Sequence, residues 1–390
     1  MANKNDILKF VLIFYLFYFI MCLVGNIFID YNDISIYTIL IVITYITSIS
    51  VGIILGYKSN KKYDENENVE KRILVVLVVI NTLSILISWY ITINHFGSVE
   101  YIYYNALTIR NNSIGQSAGV LPTYIGYINS ILWVTFPLAL SYLSKHNNFW
   151  NKILIAYIFV LVALGDLLNF GRIGMLYCIF MIVGYMYMNH KKMISMKNIL
   201  VASLLMILFS LPRLIRGSFD NFSSTVDTYA KYMNVDFDPI FNPLISMYIY
   251  YFSSPYALDY FLYNNSDFTY GNRTFAPIVN FAYRLLDMDN HVSLIDDFSA
   301  IPFQYNIYTI IRDFYGDFGP VGLLLLTLIV GIYLGKIFSM SGFYHDALKI
   351  FMIGWIMYTP VYNPLIFGGF FIAFIVLNIF ALLERYGKYD

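Results

Sequence analysis

Apolar segments about twenty residues long recur along the whole chain, and this repetition constrains the fold more than any other feature. In helical form, a segment of that length crosses the hydrocarbon core of a bilayer. Of the 390 residues, 59% are hydrophobic and only 12% are charged, which is about half the charged fraction of a soluble domain. The mean hydropathy is +0.64. The sequence therefore predicts an all-α polytopic membrane protein.

The apolar runs predict about ten spans. They cover residues 7–29, 34–57, 73–93, 123–144, 153–170, 173–189, 198–213, 318–338, 347–366 and 369–385. One connection, from about Arg213 to Phe303, is far longer than two spans need. Inside it, residues 243–263 have apolar and aromatic residues at helical spacing, which indicates one or two helices lying in the membrane interface. We therefore predict an N-terminal transmembrane bundle over 1–211, with about seven helices, a large external loop over 212–303 and C-terminal transmembrane helices over 304–390.

The basic residues of the loops predict the orientation. With both termini on the cytoplasmic side, 16 of the 24 basic residues lie inside, and 14 of these are lysine. The outer set consists of seven arginines and Lys231. Arginine binds carboxylate or phosphate in bidentate fashion, so this asymmetry favours a binding site, although pairing with the outer aspartates is the alternative. The formal net charge is zero, so no global field favours nucleic acid.

Ionisable residues collect at this predicted outer face and not at mid-depth in the spans, where a proton-coupled transporter would be expected to have them. Arg172 stands in a glycine-flanked turn between the fifth and sixth predicted helices. Arg213 and Arg216 are three residues apart where the seventh ends, and simple snorkelling is their alternative interpretation. Arginines converging on one membrane surface suit a polyanionic lipid headgroup such as a pyrophosphate. The remaining outer candidates are Arg273, Arg284, Arg312, Asp313 and Asp317.

Several other kinds of site are not indicated by the sequence. It contains no cysteine and histidine spacing typical of metal sites, no GxxxxGK loop and no GxSxG elbow. His291 is most simply a loop histidine, and the adjacent Asp296 and Asp297 alone do not define a cation site. Cys22 and Cys178 lie in apolar segments and do not support a disulfide framework. We therefore expect no metal and no cofactor.

The stretch NIYTIIRDFYGDFGPVG, residues 306–322, resembles the Wzy-type O-antigen and repeat-unit polymerases. These multispan enzymes join lipid-linked oligosaccharides outside the cytoplasmic membrane, and they share a C-type glycosyltransferase plan with O-antigen ligases. Ligases commonly place a histidine where this chain has Gln304 and Tyr305, which favours a polymerase. The arginine–glycine repeats of some polymerases are not evident around Arg273 or Arg284. The matching residues are Asn306, Tyr308, Thr309, Arg312, Tyr315, Asp317, Phe318, Gly319 and Gly322.

The resemblance implies that a growing glycan on undecaprenyl pyrophosphate is transferred to one new lipid-linked repeat, for O-antigen or capsule. The implied partners are these two substrates and membrane lipids. A chain-length regulator is a further candidate partner. The implied catalytic residues are Arg172, Arg312, Asp313 and Asp317, with an aspartate as base. The implied pyrophosphate-binding residues are Arg172, Arg213, Arg216, Arg273 and Arg284. The predicted sugar-binding residues are Tyr305, Asn306, Tyr308 and Tyr315.

Other interpretations stay open at this point. A lipid-linked oligosaccharide flippase typically has more spans and short external loops, whereas here one outer segment takes a large share of the chain. An O-antigen ligase or a non-catalytic scaffold of the assembly machinery would also fit a multispan protein. For Asp317, the alternative to a catalytic base is a cap on the helix that begins there, with the neighbouring glycines allowing a tight entry.

Overall fold

The computed structural model describes the chain as mostly helical. The described residues are 4–58, 61–63, 67–106, 121–168, 171, 173–189, 231–235, 242–264, 267–286, 288, 292 and 297–386. The seventh predicted span, 198–213, lies outside these ranges. So do five residues that the sequence analysis names, which are Arg172, Arg213, Arg216, His291 and Asp296.

Fourteen helices occur in the described ranges. They are α1 (Lys4–Phe28), α2 (Ile36–Gly56), α3 (Glu67–Phe96), α4 (Val99–Tyr104), α5 (Thr123–Asn129), α6 (Leu132–Lys145), α7 (Phe149–Leu168), α8 (Ile173–Met188), α9 (Asn242–Phe252), α10 (Ser254–Asn264), α11 (Ala276–Leu285), α12 (Ile310–Phe338), α13 (Phe343–Tyr358) and α14 (Gly368–Tyr386). A short 3-10 helix, η1, spans Pro364–Ile366. The strands β1 (Lys61–Lys62) and β4 (Met340–Ser341) pair in parallel, and β2 (Ser299–Ala300) and β3 (Gln304–Tyr305) pair antiparallel.

Seven helical segments of the described chain are long and apolar enough to cross a membrane. They are Asp6–Phe28, Ile36–Gly56, Glu67–Phe96, Tyr124–Lys145, Phe149–Leu168, Ile310–Phe338 and Gly368–Arg385. Helix α8 is a shorter apolar helix. The architecture is that of an all-α multi-pass membrane protein, as the apolar runs predict, while the number of about ten spans stays a prediction.

The predicted span 347–366 differs from the helix that forms there. Helix α13 begins before this range and ends within it, just before Pro360, whose ring nitrogen has no proton to continue the helical bonds. Its first turn is stabilised by Glu384 of α14, whose carboxylate accepts hydrogen bonds from the backbone N–H groups of Tyr344 and His345 at 3.3 and 3.1 Å. A hydropathy average shows neither the local effect of Pro360 nor the long-range contact of Glu384 with the beginning of α13.

Helices α2 and α12 pack with their backbones in direct contact. Gly52 and Gly56 of α2 face Gly331 and Gly335 of α12, and a Cβ atom added at Gly331 would lie 2.4 Å from the Ile49 carbonyl oxygen. Small residues four apart allow this close approach in membrane helices, where dispersion contacts supply much of the attraction. Gly52 meets Gly331 and Gly56 meets Gly335, so the two helices run parallel. The beginning of α12 therefore lies at the same end of the bundle as the beginning of α2.

An apolar cluster separate from the main core of the helix bundle lies at the end of the bundle where α12 begins. We call this end of the bundle the predicted outer end. The Tyr31 and Tyr256 rings stack there with centroids 4.0 Å apart. Burial raises the pKa of the Tyr256 hydroxyl, which donates a hydrogen bond to Asn26 Oδ1 at 2.6 Å. Helices α9 and α10 cover residues 243–263, as predicted, and this cluster seats them beside the segment that leads into α12. Its buried residues are Ile29, Tyr31, Ile249, Tyr256, Ala257, Ile301, Phe303, Tyr305 and Tyr308.

Candidate functional site

Helix α12 is broken at Gly319, close to its beginning. Gly319 has a φ angle of +67°, which glycine adopts readily, and a Cβ atom here would lie 3.0 Å from the Phe268 ring. Pro320 follows directly and has no backbone N–H. The break separates residues 310–318, which we call the arm of α12, from the apolar part of the helix. The charged residues of the polymerase-like stretch lie on this arm.

A turn from the long connection binds to the arm. The backbone N–H of Thr269 donates to the Gly316 carbonyl oxygen at 3.0 Å, and that of Tyr270 donates to the Asp317 carbonyl oxygen at 3.1 Å. In an unbroken helix the Gly316 carbonyl would accept a hydrogen bond from residue 320, but Pro320 has no proton to give. The break in α12 therefore leaves helical carbonyls for the turn, and residues 269–275 are held against the arm by backbone hydrogen bonds.

The Asp317 side chain strengthens the same attachment. It is fully buried, and its Oδ2 accepts a hydrogen bond from the Thr274 backbone N–H at 2.6 Å. Its Oδ1 accepts hydrogen bonds from the Arg273 backbone N–H at 3.2 Å and from the Thr269 hydroxyl. These donors come from the 269–275 turn and not from α12. Because both oxygens are engaged, Asp317 is suited to hold the turn that precedes α11 in place.

Asp313, one turn before Asp317, contacts two guanidinium groups. Arg273 Nε donates to Asp313 Oδ1 at 2.8 Å, and Arg312 Nη1 lies 3.6 Å from the same oxygen. The side chains of Asp313, Arg273 and Arg312 are only 5%, 11% and 15% exposed. Pairs that are so little exposed are screened less by salt than surface pairs. We call Arg273, Arg312, Asp313 and Asp317 the arginine–aspartate cluster.

Two aromatic rings position the Arg312 side chain. The guanidinium carbon lies 5.0 Å from the centroid of the Phe261 ring and 5.3 Å from that of the Tyr308 ring. A planar guanidinium is attracted to the faces of aromatic rings, and this attraction is stronger where water is excluded. Phe261 belongs to α10 and Tyr308 to the segment before α12, so Arg312 joins three parts of the predicted outer end.

The two guanidinium groups beside Asp313 are donors that an anionic ligand can also bind. Two guanidinium groups share one of its carboxylate oxygens, while the charge of Asp317 is stabilised by backbone N–H groups and a hydroxyl. An arginine that already pairs with a carboxylate has the geometry to pair with a phosphate, since both ligands offer oxygens at a similar spacing. Phosphate oxygens can therefore replace the Asp313 carboxylate as the partner of the two arginines, and no further positively charged residue is needed.

The four predicted sugar-binding residues differ in their surroundings. Tyr305 and Tyr308 are buried, and their hydroxyls donate to the carbonyl oxygens of Tyr250 at 3.0 Å and Asp297 at 3.1 Å. Tyr315 is half-buried, and its hydroxyl lies 2.8 Å from that of Tyr37 on α2. Asn306 is half-buried. Tyr305 and Tyr308 thus have packing roles, and sugar contact stays a prediction for all four residues.

The remaining predicted residues are not part of this cluster. Arg284 lies in the last turn of α11 and is exposed. Arg172, Arg213 and Arg216 lie outside the described residues, so only Arg273 and Arg312 of the predicted arginines have a described place beside Asp313. Among the residues that the structure describes, no group of three or more histidine, cysteine, aspartate or glutamate side chains could hold a metal ion.

Sequence reasoning missed a second set of charged residues, at the opposite end of the bundle. Lys349 lies inside α13, and its Nζ atom is 2.8 Å from Asp346 Oδ1 in a pair that is 2% and 6% exposed. Beside it, His345 Nδ1 is 2.6 Å from Glu384 Oε2. The sequence interpretation counts Lys349 among the cytoplasmic basic residues, although it lies within the predicted span 347–366. The signal that could have corrected it is the i,i+3 spacing of Asp346 and Lys349 within an apolar run.

Asp259 of α10 makes a contact that the sequence did not indicate. Its Oδ1 accepts hydrogen bonds from the Ser35 backbone N–H at 3.0 Å, from the Ser35 hydroxyl at 2.5 Å and from the Thr38 hydroxyl at 2.6 Å. Ser35 is the N-cap of α2, so Asp259 ties α10 to the beginning of that helix. Because α10 carries Phe261, this contact supports the stacking of Arg312.

Compared with known proteins, the chain matches no family model, no curated protein and no solved structure.

Proposed function

We propose that this protein polymerises undecaprenyl-pyrophosphate-linked oligosaccharide repeat units, as a glycosyltransferase of the bacterial cytoplasmic membrane. The observation that carries the proposal is the arginine–aspartate cluster on the arm of α12. Arg312 and Asp317 belong to the stretch that resembles the polymerases, and Arg273 reaches Asp313 from 40 residues earlier in the chain. The glycine of that stretch, Gly319, breaks α12, and its charged residues lie on the arm before the break.

Binding of the donor begins with its pyrophosphate. The phosphate oxygens compete with Asp313 for Arg273 and Arg312, and two arginines can together bind oxygens of both phosphates. Exchange of one anionic partner for another avoids leaving the guanidiniums buried without a counter-charge. Asp317 acts as a positioning residue in this proposal, because its hydrogen bonds hold the turn that carries Arg273.

The reaction joins two lipid-linked glycans. A hydroxyl on the terminal sugar of the acceptor attacks the anomeric carbon of the donor glycan, and the bond from that carbon to the pyrophosphate oxygen breaks. Undecaprenyl pyrophosphate leaves with that oxygen and the bonding electrons, and the arginines stabilise the charge that develops on it. The hydroxyl proton passes to the Asp313 carboxylate, which the phosphate has released from the arginines.

The topology of the proposal follows from the basic residues of the loops. Lysine in the predicted cytoplasmic loops supports an orientation with both termini inside and the arginine–aspartate cluster outside. About ten spans and a C-type glycosyltransferase plan belong to the same proposal, through the polymerase resemblance and the spacing of the apolar runs. The external location gives the cluster access to lipid-linked repeats after they have crossed the membrane.

Mass analysis of lipid-linked glycans from cells lacking the gene tests this function. We expect single repeats on the outer face of the membrane, and restoration of polymer by the wild-type gene but not by Arg273→Lys. Repeats trapped inside would indicate a flippase instead. Polymer that stays on the lipid carrier would indicate a ligase, and polymer of altered length or lower yield would indicate a scaffold.

A further inference from the structure

A cavity of about 430 Å³ opens beside α5, and its wall contains no residue of the arginine–aspartate cluster. Its walls come from α3, α5, α6, α7 and the first turn of α14. The cavity lies towards the predicted outer end, because α14 begins directly after η1 and η1 contacts α11. Pockets for small molecules in proteins have volumes of about 300–1,000 Å³. The cavity is therefore large enough for a ligand of its own.

The polar groups of this wall are held in fixed positions. The Asp166 carboxylate accepts hydrogen bonds from the backbone N–H groups of Met175 at 2.8 Å and Gly174 at 3.3 Å, at the beginning of α8. The Asn129 amide accepts from the Ser84 hydroxyl at 2.5 Å and donates to the Ser88 hydroxyl at 2.9 Å. A carboxylate and an amide in fixed orientations are typical of sites that select a ligand by its hydroxyl groups.

An aromatic platform stands next to these polar groups. The Trp133 ring lines the cavity and stacks on Phe370, with centroids 4.4 Å apart and planes at 25°. Aromatic rings bind the apolar C–H faces of sugars, while carboxylate and amide groups bind their hydroxyls. The Asp166 carboxylate disfavours an anionic phosphate at the same place.

From this combination we propose that the cavity is a saccharide-binding subsite, which holds a neutral, hydroxyl-rich part of the lipid-linked glycan while the arginine–aspartate cluster holds the pyrophosphate. That the glycan is a lipid-linked repeat follows from the proposed function. That the ligand is a saccharide follows from the residues that line the cavity. A polymerase must hold two glycans at once, and a subsite separate from the arginines meets this need. Binding here orients the sugar and requires no chemical step at Asp166.

Gly126 allows the cavity to be filled without disturbing the fold. It lines the cavity on α5, and a Cβ atom added there would meet nothing within 4 Å. Gly126→Phe therefore places a ring in the open space, while Gly126→Ala leaves the cavity open and serves as the matched control. Both variants keep the polar groups of the wall. A difference in oligosaccharide binding between them therefore shows that the ligand needs the volume that the phenylalanine ring fills.

Thiol labelling in the full-length protein, reconstituted in nanodiscs, reads out occupancy. Tyr127→Cys places a reporter in the cavity wall, and Tyr124→Cys places one on the same helix but outside the wall. Tyr127 and Tyr124 are 44% and 65% exposed, so both reporters are accessible to a maleimide. Cys22 and Cys178 are buried and contribute little background. The probe is the repeat-unit oligosaccharide released by mild acid from the lipid-linked pool of the host, and inorganic pyrophosphate is the anionic comparison.

We expect the oligosaccharide to slow labelling of Tyr127→Cys about tenfold at ten times its dissociation constant, by mass action, and to leave Tyr124→Cys unchanged. Gly126→Phe should abolish this protection and Gly126→Ala should keep it. The proposal is overturned by equal labelling with and without oligosaccharide, by equal protection of both reporters, or by protection from pyrophosphate alone. Protection without polymerisation would refute the proposed function and keep the subsite. Polymerisation without protection would refute the subsite alone.

Discussion

The Asp317 carboxylate accepts a hydrogen bond of 2.6 Å from the backbone N–H of Thr274, which lies 43 residues earlier in the chain. This contact joins the long connection to the arm of α12. It also sets the position of Arg273, the residue directly before Thr274, whose guanidinium pairs with Asp313. A fully buried carboxylate thus controls the place of an arginine that we propose to bind substrate.

We expect Asp317→Asn to lower the free energy of unfolding by about 1–3 kcal/mol, because an amide presents N–H groups to donors that the carboxylate satisfied. The 269–275 turn should detach from the arm before the bundle unfolds. Limited proteolysis of the turn and thermal unfolding in detergent check this. Asp33→Asn, an exposed aspartate between α1 and α2, is the control. An unchanged cleavage rate in Asp317→Asn would contradict the positioning role.

The close contact of α2 and α12 predicts a strong effect of adding side-chain volume. Gly331→Val should destabilise the protein by at least about 1–3 kcal/mol, because its Cβ atom alone would lie 2.4 Å from the Ile49 carbonyl oxygen. Gly368→Ala is the control, since a Cβ atom there meets nothing within 4 Å. Both melting temperatures are measured in the same detergent. Equal losses in the two variants would contradict the backbone contact of these helices.

The buried pair of Asp346 and Lys349 predicts non-additive substitutions. Asp346→Leu or Lys349→Met alone should each cost about 3–5 kcal/mol, because each leaves one buried charge without its partner. The double variant should be more stable than either single one. A double-mutant cycle by denaturant unfolding measures this coupling. Glu67→Gln, in a pair with His146 where Glu67 is 64% exposed, should have little effect. Additive losses would contradict a buried ion pair.

Much of the fold could be predicted from the sequence because span length is a local property. The apolar runs at 7–29, 34–57 and 73–93 overlap α1, α2 and α3 closely. The end of α13 before Pro360 was missed, because a hydropathy average does not register a missing backbone proton. The predicted span 318–338 begins at the break in α12, but the helical arm over 310–318 was not predicted. The glycine contact of α2 with α12 depends on two segments nearly three hundred residues apart, and periodicity within one segment does not reveal it.

The candidate site could be predicted only in part. The charge and glycine pattern of 306–322 predicted Arg312, Asp313 and Asp317 as site residues, and the structure brings their side chains into one cluster with Arg273. The partners of these residues could not be read from the sequence, since Thr269, Arg273 and Thr274 reach them through folding of the long connection. Trp133 and Asp166 meet in one cavity for the same reason. Two residues far apart in a chain become neighbours only through the packing of whole helices.

The most direct measurement is the rate of polymer formation by purified protein from a defined lipid-linked repeat, read as a glycan ladder. Arg273→Lys keeps the positive charge but loses the planar fork, and we expect it to lower the rate on the order of a hundredfold. Arg72→Lys, at an exposed arginine outside the cluster, should polymerise at the wild-type rate. A full-rate ladder from Arg273→Lys, or no ladder from the wild-type protein, would contradict the account.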